Sequence, residues 1–483
     1  MIKIKNFINN RFSEVRKTDN FNLLTKYNPH NNYELCKFVN SSDEDIESAY
    51  SSSKKAFEDW RSLSYIQRSE FIKKFSSKLE LHLKEISKLV SLETGKNYET
   101  AYQESLGALK LINFYISEAY RIKLNVYQPS AKDKKVIGQR NPMGISVLIV
   151  PANTPLPNIT WKLIPSMLFG NVSILKASEH VPMTTNFLMR IIKESNIPAG
   201  VVNTLYGDGK VGQRLVEDRR TDLVSFTGST ETGEKILRTA SKNITKTALE
   251  LGGKNFFVIL KDANIDKAVD KCLLSAFSNA GQRCSSASHI LCEDKVYDIF
   301  KYKFLQKVKK IKVGNKNNCL VGPLISKSHT NSILDKIQKQ QAKDFKILHG
   351  GRAPSETRLN KGNYILPTII ENVKTTSEFY NNELFAPIVC LSNFNSIKEA
   401  IKIINSSKYG LTCAIHTNNL KSMNIFIDQV NCGGININGM TYGSEPHMPF
   451  GGTKKSGNGF REPGSESIDI YSELKIVSWD YSK

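Results

Sequence analysis

The sequence predicts an α/β fold in which parallel sheets carry helices on both faces. Between residues 145 and 250, short β-branched runs alternate with segments long enough to form helices, and such alternation is typical of parallel sheets. A second unit of the same kind begins at residue 255. The chain has 483 residues and is 40% hydrophobic, so it can bury the cores of about three domains.

The first long segment, from about Asp43 to Arg121, has the apolar spacing of packed helices. Ala49, Ala56 and Trp60 recur on one helical face, and Gly95 interrupts the pattern further along. Residues three, four or seven positions apart share one side of a helix. We therefore expect several helices here, before the first strand of the sheet.

Four strand-like runs follow, separated by helix-length segments: Ile145–Val150, Val172–Leu175, Val201–Leu205 and Leu223–Phe226. Polar residues and glycines come soon after these runs: Asn153, Lys176, Gly207, Gly209 and Gly228. Ligands of open α/β sheets bind at the carboxyl ends of the strands. These positions are therefore candidates for a binding site.

The second α/β unit places a cysteine on a loop. A strand is predicted at Asn255–Leu260, a helix at about Ile265–Ser278, and another strand at Ser288–Cys292. Cys284 lies between this helix and the strand that follows it.

Two further segments have the alternation of exposed β-structure. Tyr127–Asn141 is polar and alternating and is followed by Pro142 and Gly144, which predicts an exposed hairpin. Ile468–Val477 alternates apolar and polar residues and is predicted to be a terminal edge strand. Another subunit can cover an edge of this kind.

The chain is strongly basic, with a formal net charge of +21. A nucleic-acid partner or a lysine-rich solvated surface would each produce such a charge. The basic residues are scattered, and the densest stretch, Lys301–Lys316, has the apolar spacing of a half-buried helix. We favour the surface interpretation and expect no nucleic-acid partner.

Eight cysteines lie far apart without a C-x-x-C pair, which argues against a zinc site and a dense disulfide framework. Free thiols are typical of a reducing compartment. No run of about 18 apolar residues is present that could span a membrane, and the basic N-terminus lacks the apolar core of a secretory signal. We expect a cytoplasmic protein with no metal and no membrane partner.

Cys284 and Glu250 are candidates for a nucleophile and its general base. Small and polar residues flank Cys284, so its sulfur could be reached, although an isolated cysteine is more often a small buried hydrophobe. A thiol with a pKa near ~8.5 needs local help to ionise at neutral pH. Glu250 precedes Gly252 and Gly253, which permit close approach of backbone and ligand; the alternative is an ordinary surface or cap carboxylate.

Four motifs occur together along the chain: Gly228–Gly233, Glu250–Asn255, Phe277–Ser286 and Pro449–Gly452. In these motifs and in their order the chain resembles the aldehyde dehydrogenase family, from about residue 7 to residue 459. The resemblance implies a Rossmann-type NAD-binding domain from residues 1–121 and 142–249 and a catalytic α/β domain from residues 250–449. It also implies an oligomerisation element from residues 122–141 and 450–483, so that a homodimer or homotetramer is expected.

The same resemblance implies a reaction. The Cys284 thiolate would add to an aldehyde, Asn153 would stabilise the oxyanion, and hydride would leave for the nicotinamide. Glu250 would then activate the water that cleaves the thioester. Relatives that pass the acyl group to coenzyme A tend to lack this glutamate, so a free carboxylic acid is the expected product.

The family's cofactor contacts match nine residues: Lys176, Glu179, Gly209, Gly228, Ser229, Gly233, Leu251, Glu383 and Phe385. Gly228–Gly233 opens a helix after a strand, where backbone N–H groups can meet a pyrophosphate. Lys176 and Glu179 match residues that bind the adenosine ribose, and a carboxylate at Glu179 would repel a 2′-phosphate. NAD is therefore expected rather than NADP, with Glu383 and Phe385 beside the nicotinamide ribose.

Alternatives to this reaction stay open. Cys284 could serve a cofactor-independent hydrolase or acyltransferase together with a histidine such as His289, although His289 lies in a predicted strand. The fold could also persist in a protein that no longer turns over a substrate. Ala152 departs from the family, because most relatives carry a tryptophan there, lining the cofactor channel.

The substrate is expected to be a small-molecule aldehyde. The segments Ala108–Tyr115 and Gly439–Met448 are expected to line its pocket. The second segment contains Met440, Tyr442 and His447, which could admit an aromatic, aliphatic or polar aldehyde, so the sequence does not choose among them.

Overall fold

The computed structural model describes residues 3–14 and 23–482 and has the predicted α/β architecture. Its strands are, in chain order, β1 (Asn6–Ile8), β2 (Arg11–Ser13), β3 (Leu23–Tyr27), β4 (Glu34–Val39), β5 (Asn125–Tyr127), β6 (Lys134–Pro142), β7 (Ile145–Ile149), β8 (Val172–Lys176), β9 (Val202–Leu205), β10 (Leu223–Thr227), β11 (Lys246–Glu250), β12 (Asn255–Ile259), β13 (Ala287–Glu293), β14 (Lys346–His349), β15 (Thr368–Glu371), β16 (Ile388–Phe394), β17 (Tyr409–Gly410), β18 (Thr412–His416), β19 (Gly434–Ile437), β20 (Thr453–Lys454) and β21 (Ser472–Asp480).

The helices are α1 (Asp43–Ser62), α2 (Tyr65–Leu81), α3 (Leu83–Thr94), α4 (Tyr98–Glu118), α5 (Pro155–Leu168), α6 (Pro182–Glu194), α7 (Gly209–Glu217), α8 (Thr230–Ala240), α9 (Ile265–Phe277), α10 (Asp294–Val308), α11 (Lys327–Gln340), α12 (Glu378–Asn381), α13 (Ile397–Ser406), α14 (Leu420–Gln429) and α15 (Ile468–Tyr471). Short 3₁₀ turns lie at Ser241–Asn243, Ser278–Gly281 and Ser465–Ser467.

Local sequence signals fix several helix ends. α1 and α2 begin with capping boxes, in which Ser42 and Ser64 accept hydrogen bonds from the third helical N–H. Asp45 and Gln67 accept in return from the cap N–H groups. α3 ends at Gly95, whose left-handed backbone suits a glycine. The predicted interruption of the helical region at Gly95 is therefore a helix C-terminus.

The first large sheet has seven strands in the order β11-β10-β7-β8-β9-β1-β2. The strands from β7 to β11 pair in parallel, and β1 and β2 add an antiparallel edge. The four strand-like runs of the sequence are β7 to β10, so that prediction is confirmed. After β7, the chain adds β8 and then β9 on one side of β7. It then returns and adds β10 on the other side of β7. This reversal creates a switch point between β7 and β10, where open α/β sheets bind ligands.

The second large sheet has the order β14-β15-β16-β13-β12-β18-β19, and its pairs are parallel except β14 with β15. The strand, helix and strand predicted around the cysteine are β12, α9 and β13. Alternate residues of β12 enter different apolar clusters, with Phe257 on one face and Phe256 and Val258 on the other. Both faces of this sheet are therefore buried under helices, as expected for parallel strands.

The third sheet is small and has the order β21-β6-β5. β5 and β6 form the predicted hairpin, and β6 pairs antiparallel with β21 over nine residues. The predicted strand at Ile468–Val477 is only partly right, because Ile468–Tyr471 is a helical turn and the strand runs from Ser472 to Asp480. Ile470 and Tyr471 are both fully buried in the core of the first sheet. A strand would direct two consecutive side chains to opposite faces, whereas a helical turn allows both to point inward.

The structure also bears on the cysteines, the basic stretch, and the expected absence of a membrane span and of a metal site. All eight cysteines lie in the described residues, and their thiols are free. The basic stretch at Lys301–Lys316 begins within α10, whose Phe300, Phe304 and Val308 are buried, but that helix ends at Val308. Across residues 3–14 and 23–482 no helix is long and apolar enough to cross a bilayer. The same residues contain no group of three or more His, Cys, Asp and Glu side chains that could hold a metal ion.

Candidate active site

The candidate site lies between the carboxyl edge of the first sheet and the amino edge of the second. Glu250 is the last residue of β11, and only Leu251–Lys254 separate it from β12. Gly228 follows β10 at the same edge, while Cys284 and Glu383 precede β13 and β16. The sequence patterns predicted a binding site only at the carboxyl ends of strands. Cys284 and Glu383, however, lie at the amino ends of strands in the second sheet.

Cys284 lies on the predicted loop between α9 and β13, and it is half-buried. The loop begins with residues 279–281, all of which have positive φ. A Cβ on Gly281 would overlap the carbonyl oxygen of Ala386, so glycine is required there. Asn255 Nδ2 donates to the carbonyl of Cys284 at 2.7 Å. The backbone that carries the sulfur is therefore held from both sides.

The sulfur of Cys284 lies in a site that contains charges of both signs. Burial, with smaller contributions from the carboxylates of Glu383 and Glu250, raises the pKa of the Cys284 thiol to about 12, and Arg283 opposes the shift. A thiolate beside carboxylates needs a compensating positive charge. Glu383 and Glu250 therefore lie close enough to the Cys284 thiol to affect its pKa.

Glu250 is a buried carboxylate. It is 6% exposed, and among residues 3–14 and 23–482 neither of its carboxylate oxygens has a hydrogen-bond partner. A Cβ on Gly451 would come within 2.6 Å of Glu250 Oε1, so this glycine makes room for the carboxylate. Burial and the nearby Glu462 raise the pKa of Glu250 well above its ordinary value, against the effects of Lys162 and Arg461. Such a carboxylate is suited to take a proton from water.

The two glycines between β11 and β12 bring the functional groups together. A Cβ on Gly252 would overlap the carboxylate of Glu383, and a Cβ on Gly253 would come within 2.7 Å of the carbonyl oxygen of Cys284. The N–H of Gly253 donates to Glu383 Oε1 at 3.1 Å. Burial raises the pKa of Glu383 to about 7, and this hydrogen bond and Lys254 oppose the shift. These glycines were predicted to permit close approach of backbone and ligand. The groups that approach them closely in the structure are the Glu383 carboxylate and the Cys284 carbonyl oxygen.

Asn153 follows β7 and contacts the cysteine loop. Its Nδ2 donates to the carbonyl of Gln282 at 3.0 Å, and its Oδ1 accepts from Asn158 at 3.0 Å. A primary amide has a second N–H, which can serve an oxyanion. Lys96, buried and paired with Glu104, donates to the carbonyl of Asn153. This ion pair, which no local sequence pattern indicates, fixes the backbone of the asparagine.

The start of α8 is anchored next to the base. The N–H of Gly228 donates to the carbonyl of Glu250 at 3.0 Å, and Ser229 caps α8 by accepting from a backbone N–H of the first turn. A Cβ on Gly233 would come within 2.5 Å of Leu251 Cδ2, so the helix packs directly on Leu251. The predicted strand, turn and helix are present, and the free N–H groups and positive dipole end of the helix favour an anion.

The remaining predicted cofactor residues lie around the same edge. Lys176 ends β8, and its Nζ lies 3.3 Å from Glu179 Oε2. Gly209 begins α7, and apart from its chain neighbours and the backbone of the helix no described atom lies within 4 Å of the position that a Cβ would take there. Phe385 has a φ of 52°, which bulky residues rarely adopt, and His329 Nε2 lies 3.2 Å from its carbonyl oxygen.

A buried polar cluster beside Glu250 was not predicted. Lys162, on α5, is paired with Glu462, and both side chains are almost fully buried. The Tyr471 hydroxyl lies 3.1 Å from Glu462 Oε2, and Ser225 Oγ lies 3.0 Å from both Lys162 Nζ and the Tyr471 hydroxyl. The only signal in the sequence is that Lys162 is the one charged residue of an apolar helix.

The two segments expected to line the substrate pocket have different surroundings. In Gly439–Met448, Ser278 Oγ donates to the Tyr442 hydroxyl at 3.0 Å, and the guanidinium of Arg283 lies 4.9 Å from the Tyr442 ring centroid. This segment therefore contacts the cysteine loop. In the other segment, five side chains are part of the core of the first sheet: Ala108, Leu109, Leu111, Ile112 and Tyr115.

His289 does not serve the cysteine. It is fully buried on β13, its ring stacks on Phe256 with centroids 5.1 Å apart, and its Nε2 lies 3.1 Å from Ser392 Oγ. Its Nδ1 has no hydrogen-bond partner among the residues that the structure describes, and burial, with Lys254, lowers the pKa of His289 to about 3. The nucleophile and base pair that a cysteine hydrolase needs is therefore not formed by Cys284 and His289.

Known proteins resemble the chain over nearly its whole length. The sequence model of the aldehyde dehydrogenase family matches residues 16–477. An alpha-ketoglutaric semialdehyde dehydrogenase of Bacillus subtilis (strain 168) is 31% identical over 476 residues, which cover 98% of this chain and 97% of the relative. A D-glyceraldehyde dehydrogenase (NADP(+)) of Picrophilus torridus is 31% identical over 474 residues, which cover 97% and 95%. A crystal structure of betaine aldehyde dehydrogenase from Staphylococcus aureus in complex with NAD+ has a TM-score of 0.95 at 30% identity, covering 100% of this chain and 96% of that one.

Proposed function

This chain belongs to the aldehyde dehydrogenase family, whose reaction is the oxidation of an aldehyde with NAD(P)+, and we propose that Cys284, Glu250 and Asn153 carry out that reaction here. The observation that supports this assignment most is the close packing of Gly253, in the link that follows Glu250, on the carbonyl oxygen of Cys284, with the Glu250 carboxylate close enough to affect the pKa of the thiol. Both oxygens of Glu250 are buried there, with no hydrogen-bond partner in the described part of the chain.

Cys284 is the nucleophile. Its thiolate adds to the aldehyde carbonyl and forms a thiohemiacetal, and the second amide N–H of Asn153 donates to the oxyanion. One such donor contributes on the order of 3 kcal/mol to lowering the barrier. Because the cysteine loop is fixed by Asn255 and Gly281, the thiohemiacetal is held in one orientation for loss of hydride.

Glu250 acts after the oxidation. It takes a proton from the water that attacks the thioester, and the product leaves as a free carboxylic acid. Its buried position and raised pKa make it a stronger base than an exposed carboxylate. The neighbouring Lys162–Glu462 pair affects the charge of Glu250 without a direct hydrogen bond to it.

The residues around the site fit a dinucleotide. The N-terminus of α8 lies at the switch point of the first sheet, where it can bind a pyrophosphate, and the space in front of Gly209 is open. When bound, the cofactor supplies a cationic nicotinamide that accepts hydride. The residues that would hold it are Lys176, Glu179, Gly209, Gly228, Ser229, Gly233, Leu251, Glu383 and Phe385.

NAD is the preferred cofactor in this proposal. The Glu179 carboxylate, paired with Lys176, can accept hydrogen bonds from ribose hydroxyls and would repel a 2′-phosphate. The Staphylococcus aureus neighbour is complexed with NAD+, while the Picrophilus torridus relative is named for NADP(+). The preference therefore rests on Glu179.

We also propose a domain division, an oligomeric assembly and a cellular compartment. The division into a cofactor domain (1–121 and 142–249), a catalytic domain (250–449) and an oligomerisation element (122–141 and 450–483) is supported by the two large sheets and the small one. The small sheet would join two or four subunits. The eight free thiols suit a reducing compartment such as the cytoplasm.

The assignment is tested by following NADH absorbance after the protein is mixed with NAD+ and a panel of aldehydes. Cys284→Ala should abolish NADH formation while binding of NAD+ persists. Cys292→Ala is the matched control, because that cysteine is buried in an apolar cluster near the carboxyl end of β13, and it should keep turnover. Near-normal turnover in Cys284→Ala would refute the role of the cysteine.

A further inference from the structure

The residues Glu383–Ala386, which form the Glu383 turn, lie directly against the cysteine loop. Glu383 Oε1 accepts a hydrogen bond from the N–H of Gly253 at 3.1 Å. A Cβ on Gly281, in the cysteine loop, would overlap the carbonyl oxygen of Ala386. The Glu383 turn therefore sets where the two residues proposed to hold the nicotinamide ribose lie relative to the cysteine loop.

Phe385, inside the Glu383 turn, has a backbone conformation that its side chain disfavours. Its φ is 52°, in the left-handed region that bulky residues rarely adopt. Such a conformation persists only where the surrounding structure holds it. Phe385 therefore needs a contact that fixes its backbone.

His329, on α11, makes such a contact. Its Nε2 lies 3.2 Å from the carbonyl oxygen of Phe385. A carbonyl oxygen can only accept a hydrogen bond, so Nε2 must carry the proton. Burial lowers the pKa of His329, and the carbonyls of Phe385 and Leu384 oppose the shift. The ring is therefore neutral at neutral pH, and Nε2–H is its single donor.

α11 is itself fixed at both ends. The segment just before it contacts the cysteine loop, because Gln282 Nε2 donates to the carbonyl of Pro323 at 3.2 Å and Gln282 Oε1 accepts from the N–H of Ile325 at 2.9 Å. Further along α11, Lys336 Nζ lies 2.6 Å from Glu378 Oε2, on the helix α12 that precedes the turn. A contact from α11 therefore ties the turn to the cysteine loop.

We propose that His329 is a positioning residue, which holds the Glu383 turn through the Phe385 carbonyl and so fixes the nicotinamide end of the cofactor relative to Cys284. This inference rests on the functions proposed for Glu383 and Phe385. Loss of the contact lets Phe385 leave its disfavoured conformation and moves the turn. Because hydride transfer needs close alignment of donor and acceptor, such a movement weakens cofactor binding and also slows the transfer.

The test compares His329→Gln with His329→Met. Both side chains are unbranched and similar in length, but only glutamine has an N–H that can donate to the Phe385 carbonyl. His329→Met should raise the Kd for NAD+ about 10-fold, the effect of one lost hydrogen bond. It should also lower the rate of NADH formation in a single turnover on the order of 10-fold or more. His329→Gln should restore both constants to within about threefold of the wild-type values.

Binding of AMP separates this role from a general structural one. AMP lacks the nicotinamide end of the cofactor, so its Kd should stay the same in both variants. His82→Met is the matched control for the loss of a histidine, because His82 is a partly exposed residue between α2 and α3 that faces Glu85 and Glu194. It should leave all three constants unchanged.

The outcomes distinguish this inference from the proposed function. Wild-type constants in His329→Met, or an equal loss in His329→Gln, would overturn the role of His329. Equal weakening of NAD+ and AMP, or failure of His329→Met to fold, would assign His329 to general stability instead. Absence of NADH in the wild type with every aldehyde would contradict the function proposed for Cys284, while the binding constants would still test His329.

Discussion

Glu250 differs from an ordinary carboxylate in its surroundings. Buried without a hydrogen bond and close to Glu462, it is held with a pKa well above the ordinary value of 4.5. Since the base acts when deprotonated, turnover should fall as the pH is lowered through this raised pKa and recover as the pH rises. The measurement is the pH profile of kcat.

Glu250→Gln has no base to titrate, so its residual turnover should lack that acid limb and be lower on the order of 10²- to 10⁴-fold. Glu58→Gln, which removes an exposed carboxylate paired with Arg61, should keep the wild-type profile. An acid limb that persists in Glu250→Gln would assign the titration to another group.

The role of a single residue could be predicted from the sequence only where that residue belongs to a recognisable motif. Cys284 and Glu250 stand in distinctive local contexts, and the structure places them together. Lys162 and Glu462 are 300 positions apart, and nothing local marks them as partners.

At the scale of elements, the link between β11 and β12 has the strictest steric requirement. A methyl group on Gly253 would lie 2.7 Å from the carbonyl oxygen of Cys284, which is backbone and cannot rotate away. Gly253→Ala should therefore displace the cysteine loop and lower kcat/KM on the order of 10²-fold, since small misplacements at a reacting centre have effects of that size.

Gly107→Ala is the matched control for this steric argument. Gly107 lies in α4, with nothing within 4 Å of its would-be Cβ. Alanine should stabilise that helix by about 0.5–1 kcal/mol and leave activity unchanged. Thermal unfolding and steady-state rates measure both variants. Normal activity in Gly253→Ala would show that the link tolerates a side chain.

The strands of both large sheets were predictable because β-branched runs alternate with helix-length segments. The element at Ile468–Tyr471 was not, because its apolar alternation also suits a strand. Burial of both Ile470 and Tyr471 in the core decided the outcome, and burial depends on tertiary packing that a local pattern does not contain.

At the scale of the whole molecule, the small sheet has an exposed apolar face. Leu474 and Ile476 lie two positions apart on β21, and Tyr127 packs with Leu474 around Gly138; these three side chains are 41–53% exposed. If this face joins subunits, Ile476→Asp should lower the molecular mass measured by light scattering. Lys475→Glu, on the opposite face of the strand, should not.

The location of the site is also a property of the whole molecule. Sequence patterns predicted two α/β units but not that the carboxyl edge of one sheet would meet the amino edge of the other. That arrangement follows from the four-residue link between Glu250 and β12, which is too short to separate the sheets. It brings together Cys284 and Glu250, which we propose as the nucleophile and the base and which lie on separate elements of the chain.

The central claim is that Cys284 carries the acyl group and Glu250 releases it. The most direct test is mass spectrometry of Glu250→Gln after mixing with NAD+ and an aldehyde that the wild type oxidises. We expect a mass increase equal to the acyl group, located on the peptide that contains Cys284, together with about one NADH per site. NADH formation with Cys284 unmodified, or an acyl group on another cysteine, would contradict it.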